Sequence, residues 1–204
     1  MRRRKPLPVQ DIAFVGGCLC VDFVNTTGAR STQSERERLQ TYADMLIWSR
    51  RAGLLTSAEA RRLDEIASNH PAAARRTLSR VCKIRESLYR LLRAVTEETR
   101  PRADDVAVID RLSRLERQRY DLAHQGSRYE LRRRQSKEEL DCMVWPIVAS
   151  AIELLTSPAV ARLKRCGECD WLFVDDSKNR SRLWCKKECG DRVRARRHYA
   201  RYKS

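Results

Sequence analysis

Four of the chain's eight cysteines fall within residues 166–189, spaced Cys166-x2-Cys169-x15-Cys185-x3-Cys189. Thiolates are soft ligands, and two close pairs separated by a stretch long enough to fold back suit a tetrahedral zinc ion. Two residues between Cys166 and Cys169 let both sulfurs face one ion from a tight turn, where Gly167 relieves the backbone. The spacing of four between Cys185 and Cys189 puts both on one side of a helix's first turn. Four thiolates fill the coordination sphere. The expected ion is therefore one structural Zn2+ per chain, with no open position for a substrate or hydroxide. Reduced thiols are the rule inside cells, which favours metal over disulfides for such a cluster.

The segment beyond Cys189 is strongly basic. Residues 162–204 hold 14 Lys and Arg against 6 Asp and Glu, half of the whole chain's net +16. At helical spacing Arg192 and Arg196 share one side with Tyr199, while Arg194, Arg197 and Arg201 share a neighbouring one. Like charges this close repel, and a polyanion relieves them: phosphates accept from guanidinium groups and release counterions. Arginine also reads guanine in a major groove wide enough for a helix. Asn179, Arg180 and Arg182, in or beside the turn between the cysteine pairs, are further candidate contacts. His198 lies nine residues beyond Cys189, about 13 Å along a continuous helix, too far to share the ion.

These residues need a scaffold. Trp171–Val174 and Arg182–Trp184 read as two strands of a hairpin between the cysteine pairs. Some forty residues build little core, so metal binding supplies the missing folding energy. Upstream, Leu19–Val24, bounded by Gly16-Gly17 and Asn25-Thr26-Thr27-Gly28, reads as a short strand. Apolar positions from Leu39 recur at three and four up to Gly53, an amphipathic helix. Thr56 and Glu59 form a capping box for a helix to about Ala67, and Pro71 opens a longer one to about Thr99. A further helix spans about Ala103 to Gln125. Residues 127–134 read as a strand able to pair with the first. Ser136 and Glu139 form another capping box, opening an apolar helix that Pro146 should bend, and residues 156–158 connect it to the cysteine segment. Cys82 and Cys142 fall in helical apolar patterns as packing residues.

The fold expected is mainly α with a small β element in residues 1–158, followed in 159–204 by a small treble-clef-like zinc module of β-hairpin plus C-terminal helix. No run of 18 apolar residues exists, so no membrane span is expected. The basic start, Arg2 to Lys5, precedes an apolar stretch of about seven residues, too short for an export leader. A cytoplasmic, nucleoid-associated location is the matching expectation.

The cysteine segment resembles the CGNR zinc finger family. The resemblance rests on Cys166-Gly-Glu-Cys169, Trp171-Leu-Phe-Val-Asp175, Asn179-Arg180-Ser181, Trp184-Cys185, Cys189-Gly190-Asp191-Arg192 and Arg196-Arg197, with Asp191 where the family's name has Asn. Residues before it resemble the ABATE domain, in Gly16-Gly17-Cys-Leu-Cys-Val-Asp22-Phe-Val-Asn25-Thr26 and in Trp48 with Gly53-Leu54-Leu55. The resemblance implies a bacterial stress-induced transcription regulator with a sensor-like front domain and a DNA-binding end. Double-stranded DNA is then the partner. A small-molecule effector would be met by Asp22, Asn25, Arg30 and Trp48, and a homodimer is the default assembly. An RNA- or protein-binding zinc adaptor is the alternative. A zinc nuclease fits less well, because residues 170–184 contain no His and four thiolates leave the metal no open position, so no enzyme is expected.

Overall fold

The structure is a computed structural model that describes residues 8–28, 37–133 and 139–202. It begins with a single 3-10 turn, Val9–Asp11, and a short helix, α1 (Leu19–Val24). Four longer helices follow: α2 (Tyr42–Arg51), α3 (Ser57–Asn69), α4 (Pro71–Thr96) and α5 (Ala103–Arg117). An antiparallel hairpin, β1 (Tyr120–Gln125) and β2 (Arg128–Arg133), leads to α6 (Val144–Thr156) and a second 3-10 turn at Pro158–Arg162. The chain closes with β3 (Leu163–Arg165), β4 (Leu172–Val174) and α7 (Lys187–Arg201). The mainly helical architecture with a small zinc-type module at the end is thus as expected.

Helix α4 is the central post, packed against α1, α2, α3, α5 and β3. Its buried positions, Val81, Ile84, Leu88, Leu91 and Leu92, recur at three and four and define its inner side. Local signals set several boundaries. Thr56 accepts from the amide of Glu59 while Glu59 accepts from that of Thr56, so the capping box expected at α3 forms. Thr41 and Asp44 make another that starts α2. Pro71 sits in the first turn of α4, where its missing N–H costs nothing.

Several expectations are corrected. Leu19–Val24 is a helix, not a strand: Cys20, Val21, Asp22, Phe23 and Val24 are all buried, so no polar face marks the helical period. The helix from Ala103 stops at Arg117, and residues 120–125 form β1, which pairs with residues 128–133 (Leu122 opposite Leu131). β2 therefore pairs with this neighbour rather than with 19–24. Pro146 falls in the first turn of α6, among amides that lack intrahelical partners anyway, so it removes no helical bond. Finally, β4 pairs with β3, with Lys164 opposite Phe173, and residues 182–184 form no strand. The helix expected to open at a Ser136–Glu139 capping box starts later, at Val144, with Met143 as its N-cap and no side-chain cap; Ser136 itself lies outside the described residues.

The core does not stop at the cysteine segment. Phe23, Trp48, Leu88 and Leu92 from the helical part and Leu163, Trp171, Leu172 and Phe173 from the later part belong to one buried cluster. Helix α1 links the two parts, touching α4, α6 and β4.

Candidate metal centre and the helix it anchors

The four cysteines converge. Cys166 opens a tight turn closed by the Asp170 amide on the Cys166 carbonyl (3.2 Å), with Asp170 at φ 59°. Asp is among the few non-glycine residues that tolerate this left-handed conformation. Cys185 stands just before α7, and Cys189 lies in its first turn. All four Sγ atoms lie within 4.8 Å of one another, and Cys166, Cys185 and Cys189 are buried. Sulfur separations are 3.6 Å for Cys169–Cys185, 3.7 Å for Cys185–Cys189 and 3.8 Å for Cys169–Cys189. A tetrahedron with Zn–S bonds of about 2.3 Å has edges of about 3.8 Å, whereas a disulfide needs about 2.05 Å. The donor set therefore fits zinc and not a pair of cross-links.

Electrostatics say the same. Hydrogen bonds from Cys169 and Cys185 hold the Cys166 thiol far below its ordinary value. Hydrogen bonding to that thiolate pushes Cys169 up to about 12, and Cys185 higher still. Four negative sulfurs at this separation need a divalent cation, which lets all four ionise. Cys166, Cys169, Cys185 and Cys189 would hold the zinc, whose contribution is to cross-link the first turn to α7.

Trp184 fits between the two cysteine turns. A Cβ on Gly167 would lie 3.0 Å from its ring, and one on Gly190 2.9 Å, so both Cys-Gly pairs owe their glycine to this indole. Asp175, fully buried, organises residues 175–182: it accepts from Lys164 Nζ (2.7 Å), the Ser177 hydroxyl (2.6 Å) and the Arg182 amide (3.0 Å). Burial alone would raise its carboxyl, but Lys164 and these donors hold it well below the usual carboxylate range. The Arg182 amide is thereby committed to Asp175, and the Leu183 carbonyl accepts from Gly167 (3.3 Å). That is why 182–184 cannot pair with β4 as a strand.

The arginines fall into two groups. Glu168, its side chain 9% exposed, pairs with Arg192 (3.2 Å) and with Arg196. Arg192 also donates to the Cys189 sulfur at 3.1 Å. Arg194 pairs with Asp191, and Arg182 with Asp176 (2.7 Å) while donating to the Cys185 carbonyl. Among the described residues Arg180 and Arg197 find no carboxylate. Arg180 sits at φ 49° in the exposed turn with Asn179. From Asp191 to Ala200 only Val193 is even half-buried, so α7 leaves the body as a solvated basic arm. His198 lies out on that arm against Tyr202, away from the cysteines. The side chain of Arg201 lies outside what is described.

The residues expected to meet an effector sit elsewhere. Trp48 is fully buried between Phe14 and Phe23. Asp22 accepts from the Gly16 amide at 2.7 Å, and its burial raises its carboxyl to about 6. Asn25, fully buried, donates to the Leu172 carbonyl (2.8 Å) and accepts from the Leu172 amide (3.0 Å), extending β4 as a strand would. Arg30 lies outside the described residues. Sequence reasoning missed the seam built on these contacts, which the Trp171 indole N–H completes by donating to the Thr27 carbonyl (2.9 Å). It also missed Glu168 as the organiser of Arg192 and Arg196.

A closed four-thiolate module with a projecting helix defines a structural zinc finger. Residues 162–202 match the CGNR zinc finger, and residues 17–158 match ABATE, described as "Putative stress-induced transcription regulator". The chain belongs to the ABATE family and carries a CGNR zinc finger after it. A search of curated proteins returns no match.

Proposed function

We propose that this zinc-finger regulator binds double-stranded DNA through α7 and the 179–182 turn, in the bacterial cytoplasm and in response to stress. The observation that carries the reading is the solvated basic arm: α7, Lys187–Arg201, is anchored at one end by the metal site, and from Asp191 to Ala200 every residue but Val193 is exposed. A helix polar on all sides gains little from the fold it leaves, and a phosphate backbone offsets its self-repulsion. Arg180 and Arg197, which have no carboxylate partner among the described residues, take phosphates directly. Arg192 and Arg196 are steadied by Glu168, which orients the helix. The protein is a binder and not an enzyme, because four thiolates leave zinc no position for a reacting group.

The exposed Tyr199 and Tyr202 on the same arm favour RNA as the second reading, since aromatic rings stack on unpaired bases. Fluorescence anisotropy with random duplex DNA, matched RNA duplex and single strands, across a salt series, separates the two. Binding to duplex DNA should weaken steeply with salt, and Arg197→Ala should reduce the log–log slope by about one. Absence of salt-dependent duplex binding rejects the DNA reading. Preference for single strands that is lost in Tyr199→Ala selects the alternative.

A further inference from the structure

Two cysteines outside the metal centre are also paired. The Cys18 and Cys20 sulfurs lie 3.6 Å apart, Cys18 half-buried and Cys20 fully buried. Among the described residues no third His, Cys, Asp or Glu completes a metal site with them. The residue between them, Leu19, is the first of α1. A helical residue places its two neighbours' Cα atoms about 5.4 Å apart, inside the range a disulfide spans. Closing the bond draws the two sulfurs together from 3.6 Å to about 2.05 Å and pulls on the chain segment that carries them.

Their position is unusual. Gly16 is squeezed between α1 and β4: a Cβ there would lie 2.7 Å from the Asp22 amide nitrogen. Its own amide donates to Asp22, and its carbonyl accepts from the Val174 amide at 2.8 Å. Gly17, at φ 83°, passes so close that a Cβ would meet that of Val174 at 3.2 Å. The dithiol is therefore covalently adjacent to the contact that joins the start of α1 to β4, a strand inside the zinc module.

We propose that Cys18 and Cys20 form a reversible dithiol oxidised by hydroperoxides, and that the resulting disulfide loosens the Gly16–Val174 contact. In the first step the Cys18 sulfur attacks one peroxide oxygen. An S–O bond forms, the O–O bond breaks, and water or an alcohol leaves, giving the sulfenic acid. In the second step the Cys20 sulfur attacks the Cys18 sulfur. The S–S bond forms, the S–O bond breaks, and hydroxide leaves as water with the Cys20 proton. In total two thiols lose two electrons and two protons to one peroxide, and a thiol reductant reverses the change. Cys18 suits the first role because it is the less buried of the two. The hydrogen bond from Cys20 also favours its thiolate, while Cys20 keeps its proton more firmly.

The regulatory meaning of the switch rests on the DNA-binding reading, but its chemistry does not, and the test uses neither DNA nor RNA. Full-length, zinc-loaded protein is treated with one equivalent of hydrogen peroxide, alkylated with N-ethylmaleimide and digested with trypsin. The peptide ending at Arg30 contains Cys18 and Cys20 and no other cysteine. It should lose two hydrogens and take up no label while zinc stays bound, and dithiothreitol should restore both thiols. Cys20→Ser should instead leave a Cys18 sulfenic acid that dimedone captures. In parallel, amide hydrogen exchange at Val174 should speed up roughly tenfold or more on oxidation. Continued labelling of both cysteines at a dose that already releases zinc overturns the proposal. A disulfide that forms without changing exchange at Val174 overturns its link to the finger.

Discussion

Replacing Asn25 with alanine tests how tightly the helical part and the zinc module are joined. Asn25 is fully buried, and its amide makes two hydrogen bonds, at 2.8 and 3.0 Å, to the backbone carbonyl and amide of Leu172, itself fully buried. Alanine leaves both buried Leu172 groups without the partner that Asn25 supplies. Each orphaned buried group costs about 1–3 kcal/mol, so the pair should cost about 4 kcal/mol. That is a large share of the roughly 5–15 kcal/mol by which domains are stable. Asn25→Asp, which keeps the acceptor and loses the donor, should also destabilise. Urea denaturation of the zinc-loaded chain gives the stability, and hydrogen exchange reports the Leu172 amide directly. A loss below about 1 kcal/mol, with Leu172 still protected, would refute the view that this side chain ties β4 to α1.

Other contacts carry outcomes of their own. Gly190→Ala should weaken zinc retention against a competing chelator, because the added Cβ would stand 2.9 Å from the Trp184 ring; crowding of this kind costs about 1–3 kcal/mol, and unchanged retention would count against it. Glu168→Gln should free Arg192 and Arg196 and raise exchange along α7, with the sign reversed if Glu168 merely repels bound phosphate. Asp22 has a folded carboxyl raised to about 6 from 3.8. Its stabilising contribution is therefore complete below about pH 4 and lost as pH rises through about 6. Asp22→Asn, which keeps the acceptor for Gly16, should flatten that slope and be the more stable at pH 7 by up to about 3 kcal/mol, as thermal unfolding at several pH values will reveal.

How legible this molecule is depends on the range of the forces involved. The zinc quartet is readable because ligand spacing is local and the chemistry of thiolates is narrow. α3 and the start of α4 are readable because Thr56, Glu59 and Pro71 act within one turn. Leu19–Val24 passes for a strand because a short helix buried all round shows no alternation of polar and apolar faces. The pairing of β4 with β3 is hidden since the competing segment, 182–184, is drawn away by Asp175 and the first cysteine turn. Asn25 and Trp171 make their decisive contacts across 147 and 144 positions, a distance at which no pattern in a single sequence announces a partner. Asp22 and Asn25 stand out in the sequence as polar residues beside an apolar run; the contacts they make in the structure are internal ones.

The central claim is that one zinc ion held by Cys166, Cys169, Cys185 and Cys189 fixes α7 to the body. Zinc-edge X-ray absorption on the purified full-length protein tests it most directly. The expected result is one zinc per chain with four sulfur neighbours at about 2.3 Å, and loss of α7 helicity when a chelator removes the metal. Nitrogen or oxygen in the coordination shell, or an α7 that stays folded without metal, would contradict it.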